Sequence, residues 1–236
     1  MKERIQKVMA QAGLCSRRAA EEMIRAGAVT VNGHKAELGE RADPVRDKIL
    51  INGKPLRRAE EKVYLMLNKP RGYVSTLKDE RGRKTVGQLV RGCKVRVYPV
   101  GRLDADSEGM LLMTNDGELT LHLTHPSHEA GKTYLVSVRG DLKRISEMEQ
   151  PMEIDGYTVQ PARVSIRDQA SDTEAHLEIT IHEGRNRQIR KMCEKCGLEV
   201  RRLKRIAVGE LHLDTKLAPG KWRALTPEEI AYLKEF

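Results

Sequence analysis

The most informative segment of this chain is PVGRLDADSEGMLLMTNDGEL, residues 99–119. It places Asp104 in a loop between Gly101 and Gly109, and glycine permits backbone turns that other residues resist. A short apolar run follows at 110–113 and ends at an NDG turn signal, which predicts a strand. We therefore expect Asp104 to lie at the entrance of a strand.

Asp104 has a functional and a structural interpretation. Arg102 lies two positions before it, and a nearby guanidinium favours the ionised carboxylate, which is able to attack an electrophile or accept a proton. Ion pairs that only brace a loop are nevertheless more common in proteins than active sites. The loop by itself leaves both interpretations open.

The composition favours a polyanionic partner. Lys and Arg total 43 against 34 Asp and Glu, a net charge of +9 that suits nucleic acid. No apolar run approaches the ~18 residues of a membrane-spanning helix and no signal-peptide core is present, so we expect no membrane segment and a cytoplasmic location. Aromatic residues make up 3% of the chain, so recognition should rely on arginine, lysine and RNA shape.

The N-terminal part of the chain predicts a small α+β module. Apolar spacing indicates a helix over 2–12, and a second helix begins with Ser16 as N-cap and ends at Gly27. Two strands, 29–31 and 49–51, each lead into an NG turn. The second helix carries three cations that form either a solvated face or a surface for RNA: Arg17, Arg18 and Arg25.

A second domain is predicted after a charged linker at 56–62. Residues 64–67 predict a buried strand, which leads into a turn with two cations, Lys69 and Arg71. These side chains are either solvated loop charges or contacts to an RNA backbone. The polar and basic stretch 76–94 indicates exposed surface without catalytic chemistry.

Further elements follow the Asp104 loop. Their predicted ranges are a helix at 119–125, a strand at 132–138, a helix at 141–150, strands at 157–166 and 177–181, and a last helix capped by Thr226. Tyr134 lies in the first of these strands. A tyrosine in a strand is more often a core residue than part of an active site, and the strand alone does not decide between them.

The segment EGRNRQIRKM, residues 183–192, predicts a strand-to-helix junction that is rich in cations. Arg187 and Arg190 fall near the start of the helix, where positive charge opposes the helix dipole. We therefore expect a negative group beside them. Cys193 and Cys196 follow with the spacing of half a zinc site, but no second pair of ligands accompanies them, so we predict no metal.

Taken together, these segments resemble the RNA pseudouridine synthases of the RsuA/RluB type. The resemblance is carried by GRLDADSEGMLLMTNDGEL, NKPRGYVS, KTY and EGRNRQIRKM, while QAGLCSRRAAEEMIRAGAVTVNG resembles an S4 RNA-binding domain. It implies an α+β fold in which an S4-like domain at 1–58 precedes a catalytic domain at 63–236. The catalytic domain is expected to have a mixed, mainly antiparallel central sheet.

The resemblance also implies roles for individual residues. Asp104 would be the catalytic carboxylate, Tyr134 would stack on the flipped base or act as general base, and Arg190 would pair with Asp104. Arg102 would support the flipped nucleotide. The other implied RNA contacts are Lys69, Arg71, Arg185, Arg187, Arg17, Arg18 and Arg25. No cofactor is implied.

The implied reaction is the isomerisation of a specific uridine in ribosomal RNA to pseudouridine. The segments AGLCSRRAAEEMI and LMLNKPRGYVSTLKDERGRKTV most resemble members that act on the 23S RNA of the large subunit. The same reaction on 16S RNA, or a non-catalytic role in ribosome assembly, are the alternatives. We expect the protein to act as a monomer.

Overall fold

A computed structural model describes residues 1–57, 59–125 and 130–235 of the chain. The chain forms two compact units, Met1–Val63 with Lys94–Arg96, and Tyr64–Cys93 with Val97–Phe236. Arg58, at the predicted end of the first domain, lies outside the described residues. Within the described ranges, no helix has the length and apolar character needed to cross a bilayer.

The first unit packs two helices on short strands. Its elements are β1 (Glu3–Arg4), α1 (Ile5–Gln11), α2 (Arg17–Arg25), β2 (Val29–Val31), β3 (His34–Lys35), β4 (Arg41–Ala42), β5 (Ile49–Ile51) and β6 (Lys54–Pro55). β3, β2, β5 and β6 form an antiparallel sheet in that order. The predicted turns are confirmed, since Asn32 and Asn52 have φ of 50° and 49°, and the Ser16 hydroxyl caps α2 by accepting from the Ala19 amide.

The second unit is larger and is organised around one sheet. Its helices are α3 (Val86–Leu89), α4 (Gly117–Thr124), a 3₁₀ helix (Leu142–Glu149), α5 (Gln188–Lys195) and α6 (Pro227–Lys234). Its strands are β7 (Tyr64–Lys69), β8 (Tyr98–Pro99), β9 (Glu108–Thr114), β10 (Lys132–Gly140), β11 (Met152–Ile154), β12 (Tyr157–Val159), β13 (Arg163–Ser171), β14 (Glu174–Ile181), β15 (Leu198–Val208), β16 (Leu211–His212) and β17 (Trp222–Ala224).

The central sheet is mixed and mainly antiparallel, as predicted. Its order is β13-β14-β10-β15-β9-β7-β17, with β8 beside β9 and β16 beside β15. Among the described strands of this sheet, only β15 and β9 pair in parallel. β7 is buried along its whole length and pairs with β9 through six residues, from Tyr64 opposite Thr114 to Lys69 opposite Gly109. The loop that carries Asp104 therefore leads directly into β9, which is held on both sides by β7 and β15.

Two predicted elements differ from the observed ones. The segment expected to be a helix at 141–150 is a 3₁₀ helix. The strand expected at 157–166 is divided into β12 and β13, because Pro161 lies between them and lacks the N–H that a continuous ladder needs. The capping box of α6 is confirmed, with Thr226 and Glu229 in the predicted positions.

Gly109 fixes where β9 begins. Its φ is +101°, a conformation that side-chain-bearing residues rarely adopt, and a Cβ at this position would overlap the carbonyl oxygen of Arg205 on β15. Gly109 pairs with Arg205 in the parallel ladder, and the buried Arg205 donates from Nε to the Met110 carbonyl at 2.7 Å. The close approach of β15 thus depends on a glycine at this point.

We predict that Gly109→Ala lowers the free energy of unfolding by at least about 2 kcal/mol more than Gly156→Ala. Gly156 is the matched control, since its φ is +74° but no atom lies within 4 Å of a built Cβ. Urea titration followed by the fluorescence of Trp222, the single tryptophan, measures the stability of this unit. Equal effects of the two substitutions would show that β15 does not crowd Gly109.

Candidate active site

Asp104 lines a cleft of the second unit. Its side chain is 34% exposed, and the cleft has a volume of about 570 Å³, which is within the range of pockets that hold small organic groups. The cleft is also lined by Ser75, Arg102, Tyr134, Ile181, Arg185, Arg187, Ile189 and Leu203. Three segments predicted as separate motifs, around residues 104, 134 and 187, therefore meet in one place.

Lys69 is a buried residue that supports the Asp104 loop, and the prediction that it is a solvated charge or an RNA contact is wrong. The residue is 0% exposed. Its ammonium donates to the carbonyl oxygens of Asp104 at 2.9 Å, Ser107 at 2.7 Å and Pro70 at 3.2 Å. The reason is that β7 continues through Lys69 and pairs it with Gly109, so its side chain points into the protein under the loop.

The charge of Lys69 is affected by this burial. Desolvation lowers the pKa of Lys69 to about 8, although the negative charges of Asp104, Asp106 and Glu108 oppose the shift. The ammonium is thus retained at neutral pH by three carbonyl acceptors and by the acidic loop around it.

Two further contacts from the turn after β7 hold the loop. The Ser75 hydroxyl donates to the Leu103 carbonyl at 2.7 Å and accepts from the Leu103 amide at 3.0 Å. The Gly72 amide donates to the Ala105 carbonyl at 2.6 Å. Sequence reasoning missed Ser75, because the NKPRGYVS segment was interpreted only through its cations. Ser75, which follows the Lys-Pro-Arg-Gly turn in this segment, binds the backbone of the Asp104 loop.

Arg187 is the arginine that approaches Asp104. It is the N-cap of α5, with φ of 52°, and its Nη1 lies 3.6 Å from Oδ2 of Asp104. The same guanidinium donates to both carboxylate oxygens of Asp106 at 3.1 Å each. The predicted negative group beside these cations is therefore the acidic loop itself. The structure places Arg187 in contact with carboxylates, where the resemblance implied an RNA contact.

Arg190 contacts Asp106, so the predicted pair between Arg190 and Asp104 is not observed. Its Nη2 lies 3.3 Å from Oδ2 of Asp106 and donates to the Asp106 carbonyl at 3.2 Å. Positions three apart share one face of a helix, so Arg187 and Arg190 both face the loop. Arg190 lies one turn further along α5, and the acid that it contacts is Asp106. The sequence spacing alone does not distinguish the two partners.

Asp106 organises these two arginines. Burial alone would raise its pKa, but the hydrogen bond from Arg187 and the charges of Arg190 and Arg187 outweigh that effect and lower it. The same hydrogen bond raises the pKa of Arg187, whereas burial lowers that of Arg190, whose side chain is 12% exposed. Asp106 therefore remains ionised and occupied, while the Asp104 carboxylate has only the longer contact to Arg187 among its described ion pairs.

Tyr134 lies in β10, where its neighbours across the ladders are Ile179 and Arg205. The residue is buried and also lines the cleft with Asp104. It therefore meets the description of a core residue and of a site residue together. Its ring and the side chains of Ile189 and Leu203 give the cleft an apolar wall beside the carboxylate.

The remaining predicted RNA contacts are on the surface of their own units. Arg71 and Arg102 are exposed, and Arg102 lines the cleft. Arg185 also lines the cleft, but its guanidinium lies over the ring of Tyr157, with 3.1 Å from Cζ to the ring centroid. In the first unit, three arginines are exposed along α2: Arg17, Arg18 and Arg25.

The cysteine pair belongs to the core of the second unit. Cys193 and Cys196 are buried free thiols on and just after α5, and burial raises the pKa of Cys193 to about 12. Sγ of Cys193 lies 4.0 Å from Sδ of Met148. In the part of the chain that the structure describes, no three His, Cys, Asp or Glu side chains are arranged to hold a metal ion.

This arrangement presents one available carboxylate in a cationic cleft with an apolar wall. Hydrolytic glycosidases use two carboxyl groups, one of which activates water. Here the second acid, Asp106, is occupied by two arginines. The geometry therefore suits a reaction in which a single carboxylate acts on an anionic substrate and no water has to be activated.

We predict that Lys69 makes a pH-dependent contribution to stability. The pKa of Lys69 is about 8 in the folded protein, whereas the ordinary pKa of a lysine is 10.5. Between these two pH values the unfolded chain binds more protons than the folded protein, so the free energy of unfolding rises with pH. The difference in free energy of unfolding between the parent protein and Lys69→Met should therefore increase from pH 8 to 10.5 and be constant below pH 8. Urea titrations at a series of pH values test this, and a difference that is flat or falls above pH 8 would contradict the burial of the ammonium.

Comparison with known proteins shows the family to which the chain belongs. A model of the S4 domain matches residues 3–44, and a model of the RNA pseudouridylate synthase family matches residues 63–195. The ribosomal large subunit pseudouridine synthase B of Bacillus subtilis (strain 168) is 43% identical over 237 residues, which cover 98% of this chain and 96% of that protein.

An uncharacterised RNA pseudouridine synthase of Aquifex aeolicus (strain VF5) is 42% identical over 238 residues, covering 99% of this chain and 94% of that protein. A crystal structure of a pseudouridylate synthase is similar with a TM-score of 0.68 and 31% identity, covering 98% of this chain and 99% of that one. The resemblance stated from the sequence is confirmed. The chain belongs to the RNA pseudouridylate synthase family, is an isomerase that acts on RNA, and carries an S4 domain before its catalytic domain.

Proposed function

We propose that this protein converts one uridine of the large-subunit 23S ribosomal RNA to pseudouridine, with Asp104 as the catalytic carboxylate. The observation that carries the proposal is the position of Asp104, which is one-third exposed in the cleft and held from behind by the buried ammonium of Lys69. The name of the Bacillus subtilis relative, a large-subunit synthase, supports the choice of RNA.

The reaction requires the uridine to leave its stack and enter the cleft, which costs a few kcal/mol of unstacking. The bond from N1 to C1′ breaks, the base turns, C5 bonds to C1′, and the proton on C5 is lost while N1 gains one. Asp104 attacks C1′, adds to C6 or takes the proton from C2′, and each route uses the same carboxylate. Because the detached base is itself the returning nucleophile, a second catalytic carboxylate is not needed.

The residues around Asp104 position the two reactants. Arg187, with Nη1 at 3.6 Å from the Asp104 carboxylate, orients this carboxylate in the cleft. Tyr134 lines the same cleft, where its ring stacks on the extruded base or its phenol oxygen acts as general base. Arg102, exposed at the edge of the cleft, supports the flipped nucleotide.

Binding of the rest of the RNA is assigned to the exposed cations. Arg71 on the second unit and the arginines of α2 on the first, Arg17, Arg18 and Arg25, are free to meet phosphates. The net charge of +9 adds a long-range attraction. We place the reaction in the cytoplasm with its ribosomal substrate, and we propose that the protein acts on it as a monomer.

We predict that Asp104→Asn abolishes tritium release from C5-labelled uridine in a large-subunit ribosomal RNA transcript and leaves RNA affinity within about twofold, because only the reacting carboxylate is lost. The control is Asp168→Asn, which should release tritium at the parent rate. Asp168 lies on β13, and its exposed carboxylate pairs with His176 of β14. Undiminished release by Asp104→Asn would remove Asp104 from the mechanism.

The same assay, combined with chromatography of the products and a measurement of RNA binding, distinguishes the other candidate functions. Release from 16S RNA alone would assign the enzyme to the small subunit. Free uracil as the product would indicate a hydrolase. Binding by the parent protein without release from either RNA would indicate a ribosome-assembly factor.

We predict that Arg187→Lys lowers the single-turnover rate of tritium release by about 10- to 100-fold. Lysine retains the charge but loses the planar fork that spans Asp106 and Asp104. Arg167→Lys is the matched control, since Arg167 pairs with Glu178 through its guanidinium on the exposed part of β13. Single-turnover tritium release measures both variants. An unchanged rate for Arg187→Lys would show that the guanidinium fork does not position the carboxylate.

A further inference from the structure

Tyr157 is conspicuous in a chain with few aromatic residues. Among the residues that the structure describes, it is the one aromatic side chain in the exposed class, at 46%. It lies in the β11–β12 hairpin, directly after the tight turn formed by Asp155 and Gly156, whose φ values are 51° and 74°. An exposed ring at a hairpin turn contributes little to the core and is available for contacts with neighbouring side chains.

The β11–β12 hairpin contacts α5 and the residues just before it, which include Arg185 and Arg187 of the cleft. Lys191 of α5 forms an ion pair with Asp155 at the turn. At the other end of β12, the Gln160 amide donates to Oε1 of Glu183 at 2.7 Å. These contacts fix the hairpin relative to Glu183 and α5, and they hold Tyr157 beside Arg185.

The guanidinium of Arg185 lies over the ring of Tyr157. Its Cζ is 3.1 Å from the ring centroid, and a guanidinium over an aromatic face is a favourable cation–π contact. Nε of Arg185 donates to Oε2 of Glu183 at 3.2 Å, in the plane of the guanidinium. The side chain is nevertheless 46% exposed and lines the cleft that contains Asp104. A preorganised planar cation thus borders the cleft.

Two ligands suit an arginine at the border of an RNA-binding cleft, a phosphate and a nucleobase. A phosphate is bound through the in-plane N–H groups, and here the carboxylate of Glu183 already accepts from Nε and repels a second anion. A nucleobase stacks on the plane of the guanidinium and needs none of those donors. The contacts of Arg185 therefore favour a base over a phosphate as the part of the RNA that it binds.

We propose that Arg185, backed by Tyr157, is a stacking subsite for a nucleobase next to the uridine that enters the cleft. The proposal rests on the proposed function for the identity of the ligand as RNA. It adds a binding role for a base outside the reacting position, and stacking accepts any base, since every base has a π-face.

The test compares two probes of equal charge, a short oligouridylate and an abasic ribose-phosphate strand of the same length. The ratio of their Kd values, measured by fluorescence anisotropy, isolates contacts to bases from contacts to phosphates. Removing one base stack should lower this preference by about tenfold. We expect that loss for Arg185→Lys, which keeps the charge, and for Tyr157→Leu, which removes the ring.

Two variants guard against a general structural effect. Tyr157→Phe retains the ring and should restore the preference of the parent protein. Arg144→Lys alters an arginine that pairs with Glu147 on the surface but has no ring against it, and it should leave the preference unchanged.

The subsite would be overturned if Arg185→Lys kept the parent preference, or if Arg185→Gln weakened both probes equally and reduced the slope of log Kd against log salt by about one, which is the signature of a lost phosphate contact. Neither result depends on catalysis. A protein that forms pseudouridine but shows no Arg185-dependent preference would refute the subsite alone, and one that shows the preference without forming pseudouridine would refute the proposed function alone.

Discussion

The site depends on one buried ammonium group, that of Lys69, which holds the backbone of the Asp104 loop from beneath. A buried charge without partners is strongly unfavourable, and each hydrogen bond to a charged group contributes about 1.5–3 kcal/mol. The carbonyls of Asp104 and Ser107 satisfy this ammonium, so the loop cannot move away without leaving the charge unpaired. The requirement to solvate one lysine internally therefore determines where the carboxylate of Asp104 lies.

The charges above the loop complete the arrangement. Asp106 accepts from Arg187 and lies close to Arg190, and this fixes the end of α5 against the loop. Arg187, while hydrogen-bonded to Asp106, thus has its guanidinium 3.6 Å from the carboxylate of Asp104. A guanidinium already oriented by a neighbouring acid loses little freedom when a substrate arrives, which is the general advantage of a preorganised site. Asp106 thus acts through the arginines and leaves Asp104 available in the cleft.

The sequence predicted those features that depend on local chemistry. The NG turns and the caps of α2 and α6 follow from neighbouring residues, and they are confirmed. The mainly antiparallel sheet, which the family resemblance implied, is confirmed as well. The errors concern partners distant in the chain. Lys69 resembles a solvated turn charge until the ladder pairs it with Gly109, and the choice between Arg187 and Arg190 depends on where α5 meets the loop. The division at Pro161 is the exception, since a proline in a predicted strand is a local signal that was overlooked.

The proposed role of Asp104 in isomerising one uridine of the large-subunit RNA can be tested in cells. Pseudouridine is mapped in 23S and 16S RNA from cells that lack the protein, complemented either with the parent chain or with Asp104→Asn. We expect one 23S position to be modified with the parent chain and to be unmodified both in the deletion and with Asp104→Asn. Identical maps from all three strains, or a modified position in the Asp104→Asn strain, would rule out this role.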